Sequence, residues 1–345
     1  SAGTQFKAKK FPDWLLFGPD NSYPVRQSEW DKNKGWANNR EFLSVNDYIQ
    51  GSDINFARNS IATYYDVAGI LKTGTANTIR LDYDPNTNKS LGYRVEGEEI
   101  NLIINSDTLA SYGLYNLTKT DSGIPSPING VNWQRYEVIS NTHANHTGSV
   151  DNVPYNKLNY SVFLRKGEGS GALNTFGMYN NTSSKNISFS KINYSTGEVT
   201  WKGTANGQII SQLRGDGYRV SIRNDTDITV GDKITTYSGV YGGLANSGDV
   251  FYSVGAMLGK LPILSSYIPT TSSAVTRNAD SLSYQHTSYG FNTVIIKGRT
   301  PLGVGTTNQT LYSYSDNTTN NSISIVRTPD RKLKFVVVLA GSIVV

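Results

Sequence analysis

The sequence predicts an all-β protein, a sandwich or a barrel of short strands, on three observations. Runs rich in aromatic and β-branched residues recur along the chain, and in residues 218–223 Tyr218, Val220 and Ile222 alternate with polar residues. Such alternation indicates a strand with one buried and one solvated face. Turn sequences such as residues 84–86 (Asp-Pro-Asn) separate the runs. No segment after residue 100 has the spacing of an amphipathic helix, and many short strands are typical of a sandwich or barrel.

Residues 1–50 differ from the rest of the chain. Three of the five tryptophans lie in this segment, prolines interrupt it, and one short helix is predicted at residues 40–49. The segment is too small to build its own core and too apolar to remain solvated. We therefore expect it to pack against a partner or against a later domain. Its candidate docking residues are Trp14, Trp30, Trp36 and Phe42.

Three further units follow in the predicted domain organisation. They are a β-rich connector (residues 51–100), a central sandwich (101–275) and the start of a second sandwich (276–345). The predicted strands are residues 61–65, 80–83, 91–95, 160–165, 187–194, 198–202, 218–223, 291–297, 322–327 and 332–338, with a hairpin joining 187–194 to 198–202. The last unit has few strands for a free-standing sandwich and ends on an apolar run. We expect it to continue in a longer protein or to be completed by a neighbouring chain.

Composition excludes several classes of protein. The chain has 345 residues, 17% of them charged, and no cysteine, which excludes disulfides, thiolate metal sites and cysteine nucleophiles. The net charge of +5 comes from scattered basic residues rather than a patch, which disfavours nucleic acid as a partner. The longest apolar run, residues 335–340, is far shorter than the ~20 residues of a membrane span, so membrane insertion is not expected. No signal peptide is visible, and synthesis in the cytoplasm is the expectation.

No catalytic or metal-binding constellation stands out. His143 and His146 are interpreted as solvated loop residues, because a zinc protease would carry its histidines four apart on a helix beside a glutamate. Carboxylates that are close in sequence are interpreted as turn residues, because glycoside hydrolysis needs two carboxylates on opposite sides of a cleft. A calcium ion on Asp225, Asp227 and Asp232 stays open as an alternative to a polar turn. We expect a protein that is not an enzyme and has no catalytic residue, metal or cofactor.

Aromatic residues remain as candidates for ligand binding. Sugar sites in β-sandwiches combine an aromatic ring face with amide, carboxylate or guanidinium groups that bond the hydroxyls. By strand parity Trp133, Tyr237 and Tyr241 are predicted to face outward, and Arg165 and Arg219 to lie on solvated faces of neighbouring strands. These five residues form the predicted glycan-binding set.

The order of phrases along residues 54–285 resembles one family. The phrases are residues 54–71, 75–85, 91–96, 101–106, 160–167, 195–200, 217–221, 254–258 and 266–280. They are similar to structural proteins of tailed bacteriophages and prophages, which are built from jelly-roll modules of the concanavalin A-like or carbohydrate-binding type. The chain departs from the family pattern at Gly217, where the family has Trp, and at Met257, where it has Gln.

The resemblance implies a jelly-roll β-sandwich in a virion protein of the phage tail, made in the host cytoplasm. It implies a fibre or baseplate protein that adheres without covalent chemistry to host surface polysaccharide and assembles as a homotrimer. Residues 1–50 would attach it to other tail or baseplate proteins. Two alternatives stay open. One is a purely architectural protein of the baseplate, collar or head surface, and the other is a tailspike that depolymerises polysaccharide.

Overall fold

The computed structural model describes most of the chain after residue 53. The described residues are 54–169, 173–194, 199–203, 208–212, 217–224, 228–240, 245–261, 264–284, 308–315, 318, 320–330 and 332–344. The predicted helix at 40–49, the four docking candidates and the predicted strand at 291–297 lie outside these residues. All the regular secondary structure of the described residues is β-strand. No helix long and apolar enough to cross a membrane is found among these residues. The all-β prediction is confirmed.

The strands are numbered in chain order. They are β1 (Ile54–Ala57), β2 (Ala62–Tyr65), β3 (Leu71–Gly74), β4 (Leu81–Tyr83), β5 (Ser90–Tyr93), β6 (Glu99–Asn101), β7 (Gly113–Tyr115), β8 (Leu117–Pro125), β9 (Asn132–Val138), β10 (Ala144–Val150), β11 (Asn159–Lys166), β12 (Leu173–Asn180), β13 (Lys185–Asn193), β14 (Val199–Gly203), β15 (Gln208–Gln212), β16 (Gly217–Arg223), β17 (Ile234–Val240), β18 (Val250–Gly259), β19 (Val275–Arg277), β20 (Ser281–Tyr284), β21 (Gln309–Ser315), β22 (Ser322–Arg327), β23 (Leu333–Leu339) and β24 (Ser342–Ile343).

Two six-stranded antiparallel sheets form the central sandwich. The front sheet has the order β14-β13-β12-β17-β10-β7, and the back sheet has the order β15-β16-β11-β18-β9-β8. β13 and β14 pair as the predicted hairpin. Alternate residues of both sheets, among them Phe176, Met178 and Ile234 in front and Val162 and Val220 behind, are fully buried between them. The fold is thus a sandwich with a shared apolar core, as the jelly-roll expectation required.

The back sheet is buried on its second face as well. Every residue of β18 is buried, and so are the first six residues of β16. Phe163 and Val254, which point away from the front sheet, pack with Leu71, Tyr267 and Ile268 in a second apolar cluster. The connector and residues 264–270 therefore cover this face. The prediction that the odd-numbered residues of 218–223 are solvated is wrong for Arg219 and Ser221, because distant segments of the chain exclude the solvent.

The chain enters and leaves this unit at one place. β1 pairs with β20 in antiparallel register, with Ile54 opposite Tyr284, and β6 pairs with β19. The first and last described strands of the connector-sandwich unit are thus neighbours, although 223 residues lie between them along the chain, since β1 ends at Ala57 and β20 begins at Ser281. In the C-terminal part, β22 and β23 confirm the strands predicted at 322–327 and 332–338, within a four-stranded sheet of order β21-β22-β23-β24.

A buried ion-pair network joins these ends. Arg80 bonds Asp280 through Nη2 at 2.5 Å and Glu96 through Nη1 at 2.8 Å, while Arg58 bonds the other oxygen of Asp280 at 3.0 Å. Arg277 also pairs with Glu96. The side chains of the three arginines and of Asp280 are 0% exposed. These five charged groups are therefore largely removed from water, and they bond one another, the half-buried Arg94, the Ser266 hydroxyl and nearby backbone groups.

The network gives a physical role to the phrases that carry the family resemblance. Arg58 comes from the phrase at 54–71, Arg80 from 75–85, Glu96 from 91–96, and Arg277 and Asp280 from 266–280. Four phrases that are separate in sequence meet in one buried cluster. Their shared function in this chain is to fasten the connector to the segment that leaves the sandwich.

Candidate functional site

The outer face of the front sheet is the extended face of the sandwich that the connector leaves uncovered. Strand alternation points one set of side chains outward, away from the core residues. This set, here called the front face, consists of Phe189 and Lys191 on β13, Gly177 and Tyr179 on β12, Thr235 and Tyr237 on β17, Asn145, Thr147 and Ser149 on β10, and Gly113 and Tyr115 on β7. All except Gly177 are half-buried or exposed. Hydroxyl, amide and aromatic groups make up most of this face.

Tyr237 lies at its centre, across the backbone of the neighbouring strand. A Cβ atom added to Gly177 would come within 2.4 Å of the Tyr237 ring and hydroxyl, so the glycine makes room for the ring. Phe189, opposite Gly177 on its other side, has its ring centroid 6.1 Å from that of Tyr237. Thr147 is the cross-strand neighbour of Tyr237 on β10. One row across the sheet therefore offers two aromatic rings followed by a hydroxyl.

Polar groups flank this row. The Ser149 and Thr235 hydroxyls lie 2.8 Å apart, and Thr235 donates to the Asn181 amide oxygen at 2.6 Å. Toward the β7 edge, the Tyr115 and His143 rings stack at 4.7 Å with an angle of 10° between their planes. Tyr115 lies two strands away from Tyr237, roughly 10 Å across the sheet. The front face thus carries two aromatic groups with hydrogen-bonding side chains beside them.

Two of the five predicted glycan-binding residues are buried. Trp133 is 4% exposed and packs in the apolar cluster of the back sheet, with its ring 3.1 Å from the position of a Cβ atom at Gly217. Arg219 is 5% exposed, donates to the Ser265 carbonyl at 2.8 Å and lies over the Phe163 ring. Burial lowers the pKa of Arg219 to about 10. The prediction that both face solvent is wrong, because the connector and residues 264–270 cover that side of the sheet.

The other three candidates separate as well. Tyr237 faces outward as predicted, on the side of β17 opposite Ile234. Arg165 is half-buried on the back sheet, with its guanidinium 5.5 Å from the centre of the Tyr252 ring, so it does not join the front face. Tyr241 lies outside the described residues. The structure therefore places one of the four described candidates, Tyr237, on the front face.

The two histidines of the 143–146 motif have different environments. His143 is half-buried and stacks on Tyr115, whereas His146 is 0% exposed and stacks on the buried Tyr136 ring at 4.4 Å. Its Nε2 lies 2.8 Å from the Ser238 hydroxyl, and burial lowers the pKa of His146 to about 3. The interpretation of both as solvated loop residues is wrong for His146, because β10 begins at Ala144 and points this side chain between the sheets.

Phe189 was missed by sequence reasoning because a β-bulge reverses the facing of β13. Met178 pairs with Ser188 but Tyr179 pairs with Asn186, which leaves Ile187 as an extra residue on that strand. Both Ile187 and Ile192 consequently reach the core, while Phe189 points outward. Strict alternation would have placed Phe189 on the same side as Ile187. The sequence signal that could have revealed this surface is Gly177, which makes room for aromatic rings beside it, but it lies on the neighbouring strand β12.

The described residues contain no group of three His, Cys, Asp or Glu side chains that could hold a metal ion. Asp232 closes a turn instead, because its carboxylate accepts from the Asn180 amide at 2.6 Å and from the Thr229 backbone N–H at 2.8 Å. Asp225 and Asp227, the other members of the predicted calcium alternative, lie outside the described residues.

Comparisons with known proteins give remote structural likenesses. No protein-family model and no curated protein sequence matches the chain. The carbohydrate-binding module TmCBM61, solved with β-1,4-galactotriose, is 10% identical at a TM-score of 0.30 and covers 46% of this chain and 97% of its own. The match to the enzymatically active domain of bacteriophage CBA120 tailspike protein 4 has 9% sequence identity and a TM-score of 0.28, and it covers 46% of this chain and 21% of that chain. The match to the CBM22-1-GH10 modules of a Clostridium thermocellum xylanase, solved with xylohexaose, has 14% sequence identity and a TM-score of 0.28. It covers 48% of this chain and 29% of that chain.

Proposed function

We propose that this chain is a phage tail protein that adheres to host surface glycan through the front face, without cleaving it. The observation that carries the proposal is the placement of Tyr237 across Gly177, beside Phe189 and next to a row of hydroxyl groups. A sugar ring has an apolar face that stacks on an aromatic ring and a rim of hydroxyls that bond polar side chains. The front face supplies both.

The chemistry of the front face favours a neutral or weakly charged polysaccharide. Its hydrogen-bonding groups are mostly hydroxyls and amides, such as Thr147, Thr235 and Asn145, and the only charged residue among its eleven positions is Lys191. A shallow face of this kind gives modest affinity for one copy. Several copies in one particle raise the apparent affinity by making the second and later contacts intramolecular. A homotrimer, attached to other tail or baseplate proteins through residues 1–50, fits that requirement.

The tail role is supported by the family phrases and by the buried network that they form. Arg58, Arg80, Glu96, Arg277 and Asp280 lie in four of the phrases that resemble the phage proteins. Four of the phrases therefore meet in one place in the folded chain. The same resemblance supports a location in the virion and synthesis in the host cytoplasm.

The test is adsorption of the purified full-length chain to host cells and to a glycan array. Replacing Tyr237 or Phe189 by Ala is expected to weaken binding about ten- to a hundredfold, the loss of roughly 1–3 kcal/mol typical of a central aromatic contact. Tyr83→Ala, a half-buried tyrosine of the connector, is the matched control and keeps wild-type binding. Wild-type adsorption by both front-face variants would contradict the proposal.

The same preparation tests the two alternatives. Adhesion without cleavage predicts that the viscosity of a bound polysaccharide stays constant during incubation. A fall in viscosity would support a depolymerase. Specific incorporation into particles without any glycan binding by the wild type would support an architectural protein.

A further inference from the structure

The connector helps to form a cleft that is separate from the front face. A cleft of about 460 Å³ lies between the β2-β3 hairpin and the loops around residues 107, 128 and 267. Its polar lining includes Asp66, Lys72, Asp107 and Asn129, and its aromatic lining includes Tyr64 and Tyr267. The cleft lies on the back-sheet side of the sandwich, because Leu71, Ile128 and Tyr267 belong to the cluster that covers the back sheet.

Hydrogen bonds fix the walls of this cleft on two sides. The Leu71 N–H donates to the Pro127 carbonyl at 2.8 Å, and the Asn129 N–H donates to the Leu71 carbonyl at 3.1 Å. On the other side the Thr63 hydroxyl donates to the Tyr267 carbonyl at 2.5 Å. The hairpin is thus fastened to the sandwich through both of its strands. Because these bonds hold the backbone of the walls in place, binding requires little ordering of the cleft, which lowers its entropic cost.

Asp107 is the acceptor on one wall. Its Oδ1 accepts from the hydroxyl of the fully buried Tyr267 at 2.6 Å, and that hydroxyl lies 2.5 Å from the Ser106 hydroxyl. The carboxylate is half-buried, has no ion pair with a described residue, and burial raises its pKa. Its position is therefore set by a buried chain of hydrogen bonds, while its second oxygen makes none of the hydrogen bonds found among the described residues.

The opposite wall carries donors. The Lys72 ammonium donates to the Asn129 amide oxygen at 2.9 Å and lies 3.8 Å from the Asp66 carboxylate. The bond to Lys72 directs the amide oxygen of Asn129 toward the ammonium, which leaves the amide NH₂ as a donor. The lining has two carboxylates against one ammonium. Its net charge is negative, which disfavours an anionic ligand.

We propose that this cleft binds one or two uncharged sugar units, as a second saccharide site on the same chain. Hydroxyl groups would donate to Asp107 and accept from Lys72 and Asn129, with Tyr64 beside the ring. The inference extends the proposed function, since a chain with two sites on opposite sides of the sandwich contacts polysaccharide at two points. It does not require the front face to bind, and the experiment separates the two.

The test uses the full chain with methyl glycosides of glucose and galactose as neutral probes and glucuronic acid as the anionic probe. Binding is measured by saturation-transfer NMR and by titration. At least one neutral probe is expected to keep binding to Tyr237→Ala, in which the front face is weakened and the cleft is intact. Its dissociation constant should rise about tenfold or more in Asp107→Ala and in Asn129→Ala, the loss of one well-formed hydrogen bond to a charged or amide group.

Asn129→Ala and Lys72→Met keep the test informative if Asp107→Ala disturbs the Tyr267 hydrogen bonds. Equal melting temperatures of variant and wild type are the control for folding. Binding that is lost in Tyr237→Ala but unchanged in Asp107→Ala and Asn129→Ala would overturn the cleft proposal and leave the front face standing. The cleft proposal would also be overturned if no neutral probe bound, or if glucuronic acid bound more tightly than the neutral probes.

Discussion

Arg80 and Asp280 form a buried ion pair across 200 positions of sequence, with Nη2 and Oδ2 2.5 Å apart and both side chains 0% exposed. Asp280 holds Arg58 with its other oxygen. One carboxylate thus pairs with two guanidinium groups that come from separate segments of the connector, Arg58 directly after β1 and Arg80 directly before β4. We expect the attachment of the connector, and with it the burial of the back sheet, to depend on this group.

Removing Asp280 should therefore destabilise the protein strongly. Asp280→Ala leaves Arg58 and Arg80 without their shared partner, and an uncompensated buried charge costs about 3–5 kcal/mol. Urea unfolding of the connector-sandwich unit measures the loss. Asp330→Ala, which breaks the exposed pair with Lys332, is the matched control and should leave the midpoint unchanged. Similar midpoints for both variants would show that the network does not fasten the connector.

Acid should weaken the same network through Glu96. Burial by itself would raise the pKa of Glu96, but the guanidinium groups of Arg94, Arg277 and Arg80 outweigh it and hold this pKa well below its ordinary value of 4.5. A carboxyl with a depressed folded-state pKa contributes stability that is present above its unfolded pKa. That contribution is lost as the pH falls from about 4.5 through the folded-state pKa.

The measurement is the urea midpoint of wild type and Glu96→Gln between about pH 7 and pH 3. Burial raises the pKa of Glu99, which acts in the opposite direction, so the difference between the two proteins isolates Glu96. The wild type should be more stable at neutral pH, and the gap should close on acidification. A gap that stays constant with pH would contradict the assignment.

Gly177 should control the binding surface through Tyr237. In Gly177→Ala the new methyl group would meet the Tyr237 ring at 2.4 Å and the Ser188 carbonyl at 2.6 Å, so the ring must leave its position. We expect glycan binding to fall as in Tyr237→Ala, with about 1–3 kcal/mol of stability lost to overpacking. Gly113→Ala on the same face is the control, since its nearest neighbour would be the Thr147 hydroxyl at 3.4 Å. Equal binding by both alanine variants would refute the role of the Tyr237 position.

Trp133 should matter for stability and not for direct ligand contact. Its ring is buried among Phe163, Tyr252 and their neighbours, so Trp133→Ala should lower the free energy of unfolding by about 3–5 kcal/mol. Under conditions where the variant remains folded, its adsorption should equal that of the wild type. Urea unfolding and adsorption at low temperature check the two statements. If the Trp133→Ala variant folded but did not adsorb, Trp133 would have to be part of the binding site after all.

Residues 54–284 should fold as an independent unit. β1 and β20 pair with each other, so truncation at both ends keeps every strand pair of the connector and sandwich. We expect the isolated unit to melt cooperatively and to bind glycan. Without residues 1–50 it should fail to enter particles, because the proposed docking residues are missing. Incorporation at the wild-type level would refute the docking role, and failure to fold would refute the independence of the unit.

The sequence by itself determined the all-β class and several of the strands in their order along the chain. The runs at 160–165 and 218–223 lie in β11 and β16, and two short β runs predicted the pairing of β13 with β14. Parity also placed Tyr237 on the side away from Ile234. These features depend on local chemistry, namely side-chain alternation and turn preference, and local chemistry can be read from neighbouring residues.

Only the tertiary structure decided which faces meet solvent. Alternation shows that the two sides of a strand differ, but Arg219 and Trp133 are buried because residues 264–270 and the connector, distant in sequence, cover the back sheet. The bulge at Ile187 turned Phe189 outward, and the pairing of β12 with β17 put Gly177 beneath Tyr237. Each of these outcomes depends on which segments pack together. The binding surface is therefore set by strand pairing and by the cover over the other sheet, which no local pattern records.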